Sequence, residues 1–113
     1  MDFHFDDSPE TRYDRHQLIS WWDQALVARS RFLVVGAGAL GNEALKLLAL
    51  IGAGQIQVVD FDVVSRSNLS RMVLFREADI GQPKTAVAAR RLAEINPDVE
   101  VIPVQGDLRY QVG

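Results

Sequence analysis

Asn68, Arg71 and Lys84 follow two carboxylates, Asp60 and Asp62, in and just after the stretch "VVDFDVVSRSNLSRMVLF". Arginine offers a planar fork of donors, asparagine an amide donor and lysine a compact charge. Together they suit phosphate oxygens. Lys84 stands out because only two of the 12 basic residues are lysines, the other being Lys46. It follows Pro83 at an expected helix start, where a cation is unfavourable unless an anion sits nearby. Hydride transfer has no use for such a trio. Attack on a phosphate does, because charge on a triphosphate must be neutralised and held in line. The competing reading is a solvated, charged connection between a strand and a helix.

Upstream lies "GAGALG", with Gly36, Gly38 and Gly41 set between an expected strand and an expected helix. That context gives the pattern meaning. Gly36 permits a tight turn, Gly38 lets backbone approach a phosphate, and Gly41 lets the helix pack close to the strand. The helix N-terminus then offers unpaired N–H groups and partial positive charge to an anion. Asp60 ends the next strand, at the distance where an acid accepts hydrogen bonds from ribose hydroxyls. The alternatives are a tight turn without a ligand and a carboxylate that caps a loop. Asp62 could support the site from behind the residues that meet the ligand, or simply hold the following loop by hydrogen bonds; the second reading is favoured.

Certain elements must position these residues. Leu18, Ile19, Trp22, Leu26 and Val27 recur at helical spacing and predict a helix within 13–27. "RFLVV" predicts a buried strand. "ALGNEALKLLALI" predicts a helix with Leu40, Ala44, Leu47, Leu48 and Ile51 along its apolar stripe, stopped by Gly52 and Gly54. "QIQVVDFD" predicts a second strand, and residues 63–82 an irregular stretch with short helical turns. A helix opening on Pro83 and closing at Asn96-Pro97 follows, then a third strand, "VEVIPVQ". Strand–helix–strand–helix–strand is the N-terminal half of a doubly wound, mainly parallel α/β sheet of Rossmann-like type, here with a preceding helix. A half sheet of this kind has an exposed edge, so the chain is expected to be part of something longer or to pair with something.

Composition narrows the function classes. The 113 residues suffice for one small domain, and a net charge of −3 indicates no general affinity for nucleic acid. Without cysteine, disulfides and thiolate metal sites are excluded within the chain. The acidic "MDFHFDDSPE" has no apolar core and resembles neither a signal nor a transit peptide. Residues 1–11 are expected to be flexible and 12–113 to form the nucleotide-binding domain. No stretch spans a bilayer, and a cytoplasmic setting is expected. His16 reads as structural, and of the adjacent Trp21 and Trp22 one should pack while the other is free to meet a partner.

"RYDRHQLI", then "VVGAGALGNEALKLLALIGAGQIQVVDFDVVSRSNLSR", then "DIGQPKTAVAARRLAEINPDVEV" resemble the ubiquitin-activating-enzyme-like superfamily of ThiF/MoeB type over residues 12–104. The resemblance implies that Gly38 and Gly41 line the phosphates of ATP, with Gly36 in the same loop. It also implies that Asp60 holds the ribose and that Asn68, Arg71 and Lys84 contact phosphate. Arg15 would enter the partner protomer's active site in a homodimer. The implied reaction uses ATP with Mg2+ to adenylate the C-terminal carboxylate of a ubiquitin-like or sulfur-carrier protein, releasing pyrophosphate. No residue of this chain is assigned to a metal. Met72 departs from the glutamine the family often has after its loop arginine. The family's metal-associated aspartate, and the thioester and zinc cysteines of members that have them, are expected beyond residue 113; Asp107 is too early to substitute. Two other readings stay open: half of an NAD-dependent oxidoreductase, and a non-catalytic nucleotide-binding or interaction module.

Overall fold

The computed structural model describes residues 10–106, so the expectations for residues 1–9, His4 among them, and for Asp107 lie outside the described residues. The regular elements are α1 (Gln24–Arg29), β1 (Arg31–Val35), α2 (Ala39–Ile51), β2 (Gln55–Asp60), α3 (Lys84–Ile95) and β3 (Glu100–Gln105). The strands form a parallel sheet in the order β1-β2-β3. Val34 lies opposite Val58, and Val58 opposite Pro103. A parallel pair needs a crossover connection, and α2 and α3 supply both. The two helices pack against each other and against the sheet. The expected Rossmann-like α/β half is therefore present, but β1 is not the buried strand that "RFLVV" predicted: it lies at the sheet edge, Leu33 is 48% and Val35 55% exposed, and of its side chains only Val34 packs against the core.

The core lies between this helical layer and the sheet. Leu45, Ala49, Ile56, Val58, Val87, Ala88 and Leu92 have no exposed surface. They stand at i, i+4 on the helices and at alternate positions on β2, the two periodicities that aim side chains at one face. The α2 face differs from the predicted stripe. Asn42, Leu45 and Ala49 face inward, whereas Leu40 is 84% and Leu47 55% exposed. This helix is apolar nearly all round, so hydrophobicity alone does not choose the face. Close approach does: a Cβ on Gly41 would stand 2.0 Å from the Gly36 carbonyl oxygen, so the glycine side of the helix must meet the strand.

The helix expected within 13–27 is broken. A single 3-10 turn, His16–Leu18, is followed by a tight turn closed by the Trp22 N–H on the Ile19 carbonyl at 3.0 Å, and α1 begins only after Asp23. The Asp23 carboxylate accepts from the Leu26 N–H at 3.0 Å and so starts a new helix. Gln24 ties the segment down. Its Oε1 accepts from Trp22 Nε1 at 2.8 Å, and its Nε2 donates to the Ile51 carbonyl at 2.7 Å. His16 Nδ1 lies 3.1 Å from the same Gln24 oxygen, in keeping with a structural role. Trp22 is half-buried and Trp21 exposed, as adjacency suggested. Pro83 is the cap preceding α3, one position earlier than predicted, and Lys84 is the first helical residue.

Candidate nucleotide site at the carboxyl ends of the strands

The loops leaving all three strands meet at one end of the sheet. The Gly36 N–H donates to the Val59 carbonyl at 2.8 Å, and the Gly106 N–H to the Asp60 carbonyl at 3.1 Å. Open sheets of this kind bind ligands at that end. Gly36 has φ of 91°, a left-handed conformation that favours glycine, and turns the chain directly into α2. The first helical bond runs from Asn42 N–H to the Gly38 carbonyl at 2.8 Å. The amides of Ala39, Leu40 and Gly41 therefore precede the hydrogen-bond ladder and open from the helix N-terminus. A Cβ at Gly36 or Gly38 would meet nothing within 4 Å, which leaves room for a ligand against the backbone.

Asp60 joins this loop to the next. Its Oδ2 accepts from the Ala37 N–H at 2.7 Å and its Oδ1 from the Asp62 N–H at 2.8 Å. Each carboxylate oxygen keeps further acceptor capacity. Asp60 lines a cleft of about 220 Å³ together with Val35, Gly36, Phe61 and Gly106. The loop-capping and ligand-holding readings of this carboxylate are thus compatible, since the two backbone bonds fix the geometry from which the remaining lone pairs act.

Asp62 has a larger part than the sequence suggested. Its carbonyl accepts from the Lys84 N–H at 3.0 Å, and its carboxylate lies 3.7 Å from Lys84 Nζ. Val63 bridges Pro83 in antiparallel fashion. The Lys84 side chain is only 8% exposed, so the cation at the start of α3 faces this acid rather than open solvent. The chain Ala37–Asp60–Asp62–Lys84 links the glycine loop to α3. No property of residue type marks Asp62 as the lysine's counter-ion; the pairing depends on the return of residues 81–84 beside 62–64.

Asn68 is buried, but its Oδ1 accepts from the Ser65 N–H at 2.8 Å and caps the 3-10 turn Arg66–Ser70. Its Nδ2 donates to none of the described residues. Arg71 is exposed and turns back on its own loop, with Nη1 3.2 Å from the Ser67 carbonyl. The structure thus gathers Gly36, Gly38, Gly41 and Asp60 at the carboxyl end of the sheet and joins Lys84 to them only through Asp62, while the Arg71 guanidinium hydrogen-bonds its own loop. Arg15 is remote. Its neighbours dock at the far ends of the helices: Tyr13 packs on Gly52 after α2, and Arg12 Nη1 donates to the Ile95 carbonyl at 2.8 Å. The 13-residue α2 separates Gly52 from the glycine loop by about 20 Å, at 1.5 Å per residue.

Asp79 opens the "DIGQPK" stretch but was given no role from sequence. It is 2% exposed and accepts from the Arg76 N–H at 2.8 Å, Arg90 Nη2 at 2.8 Å and Arg91 Nη2 at 3.0 Å. It closes the turn that delivers Pro83 and Lys84. The adjacent arginines at 90 and 91, one helical turn or more from any other basic residue of α3, were the available signal for a buried acid.

Comparison with known proteins agrees with this geometry. Ubiquitin-like modifier-activating enzyme 7 of Homo sapiens is 49% identical over 86 residues, covering 72% of this chain and 8% of that protein. Molybdopterin-synthase adenylyltransferase of Salmonella typhimurium is 42% identical over 105 residues, covering 90% of this chain and 42% of that protein. Among solved structures, Escherichia coli MccB with ATP superposes with a TM-score of 0.82 at 31% identity, over 88% of this chain and 32% of that one. The chain spans less than half the length of each of these relatives. The ThiF family matches residues 13–112, nearly all of the fold just described, and the chain belongs to that family.

Proposed function

We propose that this chain supplies the ATP-binding half of an enzyme that adenylates the C-terminal carboxylate of a ubiquitin-like or sulfur-carrier protein. The observation that carries the reading is the buried lysine tied through Asp62 and Asp60 to the glycine loop. A dinucleotide-binding half needs the loop and the ribose acid but has no task for Lys84, which favours ATP over NAD. The adenylyltransferase among the chain's relatives and the ATP complex of MccB point the same way.

In this reaction a carboxylate oxygen attacks the α-phosphorus of ATP, the α–β P–O bond breaks, and pyrophosphate leaves. The amides at the start of α2 hold phosphate oxygens, and Asp60 accepts from the ribose hydroxyls. Lys84 neutralises charge on the phosphates, and Arg71 and Asn68 add donors after their loop turns toward the ligand. Their contribution is positioning and electrostatic stabilisation, since an anion must approach a polyanion. Mg2+ would arrive with the nucleotide and supply further neutralisation; among the described residues no group of three or more His, Asp or Glu could hold a metal ion.

The position of Arg15, about one α2 length (roughly 20 Å) from its own glycine loop, supports its action in a partner protomer's site within a homodimer. Among the described residues no helix is long and apolar enough to cross a membrane, and the reading places the enzyme in the cytoplasm. Titration calorimetry of the full-length protein with ATP and with NAD tests the proposal. Tighter binding of Mg-ATP is expected; tighter binding of NAD would sink it.

A further inference from the structure

Asn42 has no exposed surface, although it lies in the first turn of a helix at the candidate site. Its side chain is fully engaged. Nδ2 donates to the Ala37 carbonyl at 2.8 Å and to the Gly38 carbonyl at 2.9 Å. Oδ1 accepts from the Leu74 N–H at 3.0 Å. One side chain therefore fixes two carbonyls of the glycine loop and one amide of the loop that carries Arg71.

The two donations have an electrostatic consequence. A carbonyl oxygen facing a bound phosphate repels it, whereas an amide N–H attracts it. By drawing the Ala37 carbonyl into the protein, and reinforcing the inward direction that the first helical bond gives the Gly38 carbonyl, Asn42 leaves the amides on the ligand side. The Leu74 bond joins this arrangement to a segment three residues beyond Arg71. When phosphates order the glycine loop, the same asparagine transmits that order to the arginine's loop. An apolar residue of similar size could fill the space but would leave the Ala37 carbonyl and the Leu74 amide without this partner, and unmade buried bonds are costly.

We propose that Asn42 is a positioning residue for the triphosphate: it sets the polarity of the glycine loop and couples that loop to residues 71–74. The inference rests on the ATP reading above. It goes further in assigning phosphate selectivity to a side chain that touches no ligand.

The test compares affinities of ATP and adenosine for the full-length protein and for Asn42→Ser and Asn42→Asp. Asn42→Ser is too short to span both loops. Asn42→Asp keeps the shape and the acceptor for Leu74 but loses the amide donors. Each variant should weaken ATP binding by about tenfold while leaving adenosine binding unchanged. A general loss of structure would weaken both ligands alike, and that result, or an unchanged ATP affinity, overturns the assignment. If the variants do not fold, amide exchange in the wild-type protein decides: ATP should slow exchange at Leu74 together with Ala39–Gly41, and an indifferent Leu74 overturns the coupling. A wild-type protein that binds adenosine as tightly as ATP would overturn the ATP reading itself. An ATP preference that survives Asn42→Ser removes only the role of Asn42.

Discussion

Replacing Asp79 by alanine should destabilise the fold by about 3 kcal/mol, the lower end of the roughly 3–5 kcal/mol that follows when one partner of a buried ion pair is removed. The magnitude follows from its partners. Arg90 is 47% exposed, so its share of the attraction is screened by solvent and is worth no more than about 1 kcal/mol. Arg91 is 12% exposed and its Nε already has no hydrogen-bond partner, so losing Asp79 strands a nearly buried cation. Its Nη1 keeps a contact with Glu94 at 3.4 Å, which holds the cost toward the lower bound. The Arg76 N–H also loses its acceptor. Asp79→Asn preserves that acceptor and one contact with Arg91 but gives up the charge-assisted bonds at the other oxygen, from Arg90 and Arg91, and should cost about 2 kcal/mol. Urea unfolding of the full-length protein, read as a change in midpoint at constant slope, measures both. A cost below about 1 kcal/mol for Asp79→Ala, or equal costs for the two variants, would refute the view that this carboxylate anchors the turn leading to Lys84.

Alkaline stability should depend on Tyr13. Burial raises its phenol above the ordinary value; a hydrogen bond from Asn96 opposes this, and Asp98 reinforces it. A raised value means that the folded state retains the proton more firmly. The stabilisation is complete below about pH 10, the unfolded value, and is lost as pH rises through the folded value. Tyr13→Phe should abolish that part of the alkaline decline, as seen in denaturant midpoints taken across the range. Gly52→Ala should cost about 1–2 kcal/mol from left-handed backbone alone, because φ is 84° there. It should also dislodge Tyr13, whose ring would lie 2.6 Å from the new Cβ, and tryptophan fluorescence near His16 and Trp22 should report the movement. Mixing an Arg15→Ala protein with a Lys84→Ala protein should restore activity through one intact composite site. No rescue despite proven subunit exchange would place Arg15 outside the partner's site.

The strands were legible because "RFLVV", "QIQVVD" and "EVIPVQ" are short, β-branched and bounded by turn residues, but burial was legible only for the central β2, since an apolar run does not reveal that β1 lies at an edge. The helix ends at Gly52 and Asn96 were legible for similarly local reasons: a left-handed cap in one case and a following proline in the other. Periodicity failed over residues 13–27 because it registers apolar spacing and not the Asp23 cap that restarts the helix. It failed again on α2, where apolar residues on both sides leave the buried face to be decided by the Gly36–Gly41 approach. Gly36 follows β1, Asp60 ends β2 and Lys84 opens α3, positions that the element boundaries alone made legible. The Asp62–Lys84 and Asp79–Arg91 pairs were hidden because each joins segments whose meeting is tertiary. Arg71 was legible as a residue but not in direction, since the Ser67 carbonyl competes for its guanidinium.

The central claim is that Lys84 acts on the phosphates during adenylation, and carboxylate-dependent exchange of pyrophosphate into ATP tests it most directly. The assay takes the full-length enzyme and a carrier protein ending in a free carboxylate, at saturating ATP. Removing one preorganised charge donor typically costs about 2.7–4 kcal/mol of transition-state stabilisation, or 10²–10³ in rate. Lys84→Ala should therefore lose about that factor in exchange while ATP still binds. Asp60→Ala should chiefly weaken nucleotide affinity, because a ribose contact far from the breaking bond serves ground and transition states alike. An exchange rate left intact by Lys84→Ala at saturating ATP would contradict the account and return residues 63–82 to a solvated connection between sheet and helix.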